Sequence, residues 1–159
     1  MIRIISSGPL TTLQDLGRFG YMEDGFSPSG AMDIPAAKIA NILVDNSEND
    51  AVLEMTMFGI TAVFEVDSVI SLTGGDFSPL LNNEPISNYA AIYVKTGDTL
   101  KLLSARTGCR CYMAVAGGFD IPLVMGSFST NVKSSIGGYK GRKISSGDVL
   151  PLRHSTETI

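Results

Sequence analysis

The sequence has little charge and no cluster of charge of one sign. Asp, Glu, Lys and Arg make up 18% of its 159 residues, and the formal net charge is −4. The 12 lysines and arginines are scattered rather than gathered into a basic stripe, which argues against nucleic acid as a partner. With 44% hydrophobic residues, the composition is that of an ordinary globular chain with one sizeable core.

Long hydrophobic runs are also missing. No segment approaches the ~20 apolar residues that span a bilayer, so we expect no membrane partner. The apolar run in the opening segment MIRIISSGPL is too short for the core of a secretory signal. We therefore predict a cytoplasmic protein, in which thiols stay reduced.

Metal ligands are scarce. The sequence has one histidine, His154 near the C-terminus, and two cysteines, Cys109 and Cys111. A C-x-C pair needs two further ligands to hold zinc, so we expect no bound metal. Because residues i and i+2 of a strand share a face, we predict that both cysteines are reduced and face the interior beside Met113 and Val115.

Glycine, in contrast, is abundant, with 17 residues that mostly stand in pairs or beside Asp, as in turns. Short alternating apolar runs lie between them and indicate an all-β barrel or sandwich. The predicted strands fall within residues 2–5, 51–57, 61–66, 69–72, 90–94, 99–103, 109–116 and 149–152. The segments GDTLKLL from Gly97 and GDVLPLR from Gly147 predict two equivalent tight turns, each entering a strand.

One helix is predicted, beginning close to Asp33. The Asp33 side chain can accept hydrogen bonds from free backbone N–H groups at the helix start, and Pro35 suits the first turn. We expect the helix to end near Asp45 and Asn46. Helical spacing predicts a buried face made of Ala36, Ile39, Ala40, Leu43 and Val44.

Candidate binding residues concentrate in residues 11–33, TTLQDLGRFGYMEDGFSPSGAMD, which we interpret as a long polar loop. Loops of this length are uncommon in compact domains unless they are functional. Asp15 and Arg18 either pair and brace the loop, or leave Arg18 free to bind a carboxylate or phosphate. We expect both to lie at a cleft or a partner-facing surface rather than in the core. The further candidates here are Thr12, Gln14, Tyr21 and Asp33.

Further candidates lie in the strands and later turns. Glu54 stands in an otherwise apolar strand, either on its outward face or pointing into a ligand cleft. The segment GSFST at 126–130 lacks the closing glycine of a serine-nucleophile motif, which favours a hydroxyl-rich turn that binds a ligand or a backbone. Its candidates are Ser127, Ser129 and Thr130.

The segment IGGYKGRK at 136–143 has the glycine content of a phosphate loop but not its spacing. Clustered backbone N–H groups could still hold an anion there, with Arg142 beside them. The alternative is a solvated turn.

These motifs carry a family resemblance. TTLQDLGRFGY, SGAMD, LEMT, AVAGGFDIP, MGSFST and GGYKGR…GDVL stand in the order and spacing of the carboxyltransferase-type family. That family includes the C subunit of bacterial 5-oxoprolinase, allophanate hydrolase subunit 2-like proteins and the carboxyltransferase part of urea carboxylase. It also includes an antagonist of an inhibitor of a sporulation sensor kinase. The match runs from about residue 8 to residue 152.

The resemblance implies a cyclophilin-like β-barrel, mainly β with one helix, and a companion protein related to the B subunit of 5-oxoprolinase, with the A subunit beside it. It implies a role in ATP-dependent opening of the lactam of 5-oxoproline to glutamate. ATP would be used by the assembly, and we expect this chain to bind no cofactor and to be inactive alone. Gln14, Asp15 and Arg18 would then form a loop that faces a ligand or a partner protein.

Two other functions remain open, a biotin-dependent carboxyltransferase part acting on urea or a related amide, and a regulatory protein that antagonises a histidine-kinase inhibitor. Family members are usually about twice as long, so residues 1–159 resemble the N-terminal barrel of a two-barrel chain. Phe128 stands where many members have a basic residue. A biotin-accepting lysine flanked by methionines is absent, so any biotin would arrive on another protein.

Overall fold

The computed structural model describes residues 1–153. Eleven β-strands and one α-helix make up the regular structure of this range, together with a short 3-10 helix at Met22–Asp24. The strands are β1 Ile2–Ser6, β2 Leu10–Gln14, β3 Val52–Thr56, β4 Thr61–Phe64, β5 Ser68–Asp76, β6 Leu80–Leu81, β7 Glu84–Pro85, β8 Ile92–Val94, β9 Thr99–Lys101, β10 Thr107–Val115 and β11 Val149–Leu150. The prediction of a mostly β chain with one substantial helix is confirmed.

The strands pair in two antiparallel sheets. The first has the order β11-β1-β4-β9-β6-β7, and the second has the order β2-β3-β10-β5-β8. Each order is open-ended, so strand pairing alone does not close a barrel. Side chains of both sheets share one apolar core, which includes Ile4, Phe64, Leu53, Leu72 and Met113.

The helix α1, Ile34–Leu43, covers the outer face of the second sheet. Asp33 caps it, since its Oδ1 accepts from the Ala36 N–H at 3.1 Å, and a proline stands in the first turn as predicted. Two strand hydroxyls dock it. Thr73 donates to the Ala36 carbonyl at 2.7 Å, and Ser71 donates to the Ala40 carbonyl at 2.6 Å.

This docking corrects the predicted buried face of the helix. Ala36, Ala40 and Val44 are buried as expected, but Ile39 is exposed and Leu43 is only half-buried. Ala37 and Asn41 are buried instead. The side chains of alanine are small enough for the helix to approach β5 within hydrogen-bond distance, and this approach sets its rotation. The helix ends at Leu43, slightly before the predicted end.

The two Gly-Asp turns are equivalent, as predicted. At the start of β9, Asp98 Oδ2 accepts from the Lys95 N–H, and at the start of β11, Asp148 Oδ2 accepts from the Ser145 N–H, both at 2.8 Å. The glycine of each turn, at 97 and 147, has a positive φ and donates to the neighbouring strand. These are two copies of one turn, each leading into a strand of the first sheet.

The opening segment is only partly a loop. β2 covers Leu10–Gln14 and pairs in register with β3 along its whole length. The polar sequence concealed it, because Thr12 and Gln14 are buried polar residues of a strand rather than exposed residues of a loop.

The cysteine prediction is half correct. Both are free thiols, and Cys111 is buried in the core, where burial raises the pKa of its thiol to about 12. Cys109, however, is exposed. It lies near the N-terminal end of β10, where its carbonyl accepts from the N–H of exposed Met57. This end of the strand extends beyond the apolar core. No helix within residues 1–153 is long and apolar enough to cross a membrane.

Candidate functional site

Seven of the predicted site residues converge in one buried cluster, hereafter the buried polar network: Thr12, Gln14, Asp15, Arg18, Ser127, Ser129 and Thr130. It joins residues at the end of β2 to a turn more than a hundred positions later in the chain. All are at most 6% exposed. The expectation that Asp15 and Arg18 lie at a cleft or partner-facing surface is therefore wrong.

Asp15 is the acceptor at the centre of the buried polar network. Its Oδ1 accepts from the hydroxyls of Ser127 and Ser129, each at 2.7 Å, and from the Gly17 N–H at 2.9 Å. Its Oδ2 accepts from the Phe128 N–H at 2.8 Å. A buried carboxylate is tolerated when donors surround it in this way.

The hydrogen bonds of the Ser127 hydroxyl give this residue a structural role. Its hydroxyl donates to Asp15, accepts from the Ser129 N–H at 3.0 Å, and is fully buried. A nucleophile must reach a substrate, so the geometry supports the backbone-binding turn over the serine nucleophile. His154, the sole histidine, lies outside the described residues.

The Arg18 guanidinium donates to backbone carbonyls rather than to a carboxylate. Its Nε donates to the Val124 carbonyl at 2.7 Å, and its Nη2 donates to the Ser129 carbonyl at 2.9 Å. Its Nη1 has no hydrogen-bond partner among residues 1–153. The considered Asp15–Arg18 pair is not among the ion pairs of the described chain, and each residue instead braces the 124–129 turn separately.

The side-chain amide of Gln14 and the hydroxyl of Thr130 complete the network. Gln14 Nε2 donates to the Thr12 hydroxyl at 3.0 Å, and its Oε1 accepts from the Gly30 N–H at 2.9 Å. Thr130 donates through its hydroxyl to the Leu13 carbonyl at 2.9 Å. A Cβ added to Gly137 would lie 2.0 Å from the Ser129 carbonyl oxygen, so only glycine fits there. Four segments that carry the family resemblance thus meet in a structural role.

Asp33 and Glu54 belong to a second group, connected through Tyr112. The Tyr112 hydroxyl donates to Glu54 Oε2 at 2.7 Å and accepts from the Asp33 N–H at 2.9 Å. Glu54 also accepts from the Met32 N–H at 2.9 Å and is 8% exposed. It lies on the outer face of β3, opposite the core, but residues 31–33 cover it. Burial raises the pKa of Tyr112, which keeps the phenol protonated as a donor.

The remaining two candidates lie apart from both groups. Tyr21 lines a shallow hollow beside Phe19 and Met125. Arg142 makes a two-point ion pair with Asp148, with its Nη1 and Nη2 at 2.8 and 2.9 Å from the two carboxylate oxygens. The Arg142 guanidinium holds the pKa of Asp148 below its usual value. Because Asp148 occupies this guanidinium, Arg142 is unsuited to hold an anion on the 136–143 loop.

The sequence did not predict a polar cleft that lies near the N-terminal end of β10. The register between β10 and β5 shifts there, so that the three residues between Thr107 and Cys111 face the single residue Gly75 on β5. Gly74 on β5 allows this irregularity, because an added Cβ would lie 2.6 Å from the Arg110 carbonyl oxygen. The cleft has a volume of about 420 Å³, and its lining includes Asp33, Cys109 and Arg110. A glycine pair inside a strand was the available signal.

Arg110 distinguishes this cleft from the buried polar network. It is partly exposed, and its Nε is buried without a hydrogen-bond partner within the described part of the chain. No group of three or more His, Cys, Asp or Glu residues there could hold a metal ion. The cleft therefore has both a cation with spare donors and the Asp33 carboxylate in its lining.

Comparisons with known proteins give the family. A family model described as "Carboxyltransferase domain, subdomain A and B" matches residues 24–159. The C subunit of 5-oxoprolinase from Escherichia coli is 43% identical over 155 residues, which are 98% of this chain and 50% of that protein. Urea amidolyase of Saccharomyces cerevisiae is 38% identical over 157 residues, which are 98% of this chain and 9% of that protein.

The fold comparison agrees. The crystal structure of Kluyveromyces lactis urea amidolyase matches with a TM-score of 0.95 and 37% identity, covering 99% of this chain and 10% of that one. The chain spans about half the length of the 5-oxoprolinase subunits that it matches. The resemblance noted in the sequence is confirmed, and the chain belongs to the carboxyltransferase domain family of subdomains A and B.

Proposed function

We propose that this chain is the counterpart of the C subunit in an ATP-dependent 5-oxoprolinase assembly, which hydrolyses the lactam of 5-oxoproline to glutamate. The observation that carries the proposal is the 43% identity to a 5-oxoprolinase C subunit over 98% of the chain. A second 5-oxoprolinase C subunit, from Haemophilus influenzae, is 39% identical over 94% of the chain.

The chain would act with companion proteins related to the A and B subunits. A lactam is an unreactive amide, so its carbonyl has to be activated before water attacks, and ATP would supply this activation within the assembly. The 136–143 loop lacks the spacing of a phosphate loop, and its Arg142 is paired with Asp148. We therefore assign ATP to a companion protein and no cofactor to this chain.

Residues 1–159 would form one domain that corresponds to half of a two-barrel chain. Its two sheets share one core, which supports a cyclophilin-like barrel as their common architecture. The cytoplasmic location predicted from the sequence stays a prediction.

The test is reconstitution with the companion A and B subunits. We expect all three proteins together to release glutamate from 5-oxoproline only when ATP is present, and the isolated chain to release none. Omitting each protein in turn provides the control. Absence of glutamate release from a purified three-protein complex that contains this chain would refute the proposal.

The second candidate is a biotin-dependent carboxyltransferase part acting on urea or a related amide. It is favoured by the TM-score of 0.95 to a urea amidolyase structure. Biotin would arrive on another protein. Carboxylation of urea by the chain with a biotinylated carrier, without glutamate release from 5-oxoproline, would select this candidate.

A further inference from the structure

The cleft beside β10 combines groups of opposite charge that the described chain leaves available. Arg110 and Asp33 both line it. The ion pairs formed within residues 1–153 involve neither residue. The cleft contrasts in this respect with the pair of Arg142 and Asp148, whose charges satisfy each other.

The Arg110 guanidinium makes no side-chain hydrogen bond or ion pair within residues 1–153. Its backbone lies within β10, opposite Thr56 on β3, and its Nε is shielded from water with no acceptor in the described range. A shielded N–H without an acceptor is costly, and a ligand that supplies an acceptor removes that cost. A planar guanidinium matches the two oxygens of a carboxylate.

Asp33 supplies the opposite chemistry. Its Oδ1 is used to cap α1 at the Ala36 N–H, and a carboxylate has further lone pairs to accept from a ligand N–H. Its backbone is fixed by the bond to the Tyr112 hydroxyl, which in turn donates to Glu54. The carboxylate is thus an acceptor on a rigid support rather than on a mobile loop.

Two glycines of β5 let this strand lie very close to β10 in the lining of the cleft. A Cβ added to Gly74 would lie 2.6 Å from the Arg110 carbonyl oxygen, and one added to Gly75 would lie 2.5 Å from the Thr107 carbonyl oxygen. The Tyr89 hydroxyl also lies at the cleft and accepts from the Gly74 N–H at 3.0 Å. The volume of about 420 Å³ suits a small ligand.

We propose that this cleft binds a small carboxylic acid that also carries an amide N–H, with Arg110 holding the carboxylate and Asp33 accepting from the N–H. A lactam acid such as 5-oxoproline has both groups, and in naming this class the inference rests on the proposed function. Arg110 is then a substrate-binding residue of the assembly.

Cys109 gives a direct assay, because it lines the cleft and is exposed, whereas Cys111 is buried with a raised pKa. A thiol reagent therefore labels Cys109, and a bound ligand slows the labelling. We expect 5-oxoproline to protect Cys109. We expect weaker protection from 2-pyrrolidinone, which lacks the carboxylate, and from cyclopentanecarboxylate, which lacks the amide.

Variants test the role of Arg110. Arg110→Gln should raise the 5-oxoproline concentration for half-protection about 10- to 100-fold, as for a lost hydrogen bond to a charged group, and should leave protection by 2-pyrrolidinone unchanged. Arg106→Gln, at an exposed arginine just before β10, is the matched control and should change neither. Calorimetry with the same probes measures binding independently of the thiol.

Two results would overturn the inference. One is the absence of 5-oxoproline binding to the folded wild-type chain by both methods, and the other is Arg110→Gln binding that equals wild type. The reconstituted assembly separates this failure from failure of the proposed function. If glutamate release persists with an unchanged KM in Arg110→Gln, the function stands and the inference falls. If Arg110-dependent binding occurs but no assembly releases glutamate, the inference stands and the function falls.

Discussion

Two arginines occupy opposite situations in this fold. Arg18 is 1% exposed and donates through its Nε and Nη2 to carbonyls of the 124–129 turn, and only its Nη1 lacks a partner within the described chain. Arg110 is partly exposed, lines an open cleft and makes no side-chain hydrogen bond at its Nε within the described chain. Arg18 lies in a motif that carries the family resemblance, whereas Arg110 does not.

This contrast shows that the family motif around Arg18 has a structural role. The polar residues of TTLQDLGRFGY attach one end of β2 to a distant turn, and their donors and acceptors are largely used within the chain. A motif of this kind identifies the fold. The chemistry of a site depends on groups that the fold leaves available, and the cleft at the irregular end of β10 offers such groups.

The largest loss is expected for Asp15→Ala. The substitution leaves two hydroxyls and two backbone N–H groups of the buried polar network without their acceptor. We expect the free energy of unfolding to fall by about 3–5 kcal/mol, and the melting temperature to fall by on the order of 10 °C. Chemical denaturation measures this change. Asp24→Ala, at an exposed position, is the control, and equal stability of the two variants would show that the network is not structural.

A smaller loss is expected for Tyr112→Phe, which removes the donor to Glu54 and the acceptor for the Asp33 N–H. We expect a loss of about 1–3 kcal/mol. Folding raises the pKa of Tyr112 above its ordinary value of 10.0, mainly through burial. Its neutral form therefore stabilises the fold below that pH, and this contribution is lost as the pH rises further.

Tyr112→Phe should accordingly flatten the alkaline fall in stability relative to wild type. Denaturant midpoints measured from pH 9 to pH 12 test this, with the difference expected above about pH 10. Tyr93→Phe, on an exposed ring, should keep the wild-type slope. An unchanged slope in Tyr112→Phe would mean that the Tyr112 phenol does not contribute to the pH dependence.

The smallest loss is expected for Asp148→Asn at the partly exposed pair with Arg142. The pKa of Asp148 is lowered from 3.8, first by its hydrogen bond with Arg142. The ion pair therefore stabilises the fold above about pH 4 and is lost as the pH falls through the lowered pKa. We expect less than about 1 kcal/mol at pH 7 and no difference from wild type at pH 2. A difference that persisted in acid would argue against the pair as its source.

The sequence predicted the strands and the helix well where apolar residues alternate, as at Val52–Thr56 and Thr107–Val115. It missed β2, because Thr12 and Gln14 are polar although they are buried in the structure. The burial of Asp15 was also hidden, since its hydroxyl donors lie 112 and 114 positions away. Local sequence cannot show partners at that separation.

The cleft was harder still to predict. Arg110 stands between two cysteines in a strand that alternates normally further along, and strand periodicity gives such a residue no special role. Its exposure follows from the register shift opposite Gly74 and Gly75. A glycine pair in a strand marks a close backbone approach, but it does not show which side chains the resulting cleft will expose.

We propose different roles for the two arginines, in which Arg18 stabilises the fold and Arg110 binds a ligand. The most direct test measures the free energy of unfolding of Arg18→Gln and Arg110→Gln by chemical denaturation, each with and without saturating 5-oxoproline. We expect Arg18→Gln to lose about 2–4 kcal/mol and to keep the stabilisation by ligand. Arg110→Gln should stay within about 0.5 kcal/mol of wild type without ligand and lose most of the stabilisation by ligand. The reverse pattern, a destabilised Arg110→Gln and an unaffected Arg18→Gln with impaired ligand response, would contradict the account.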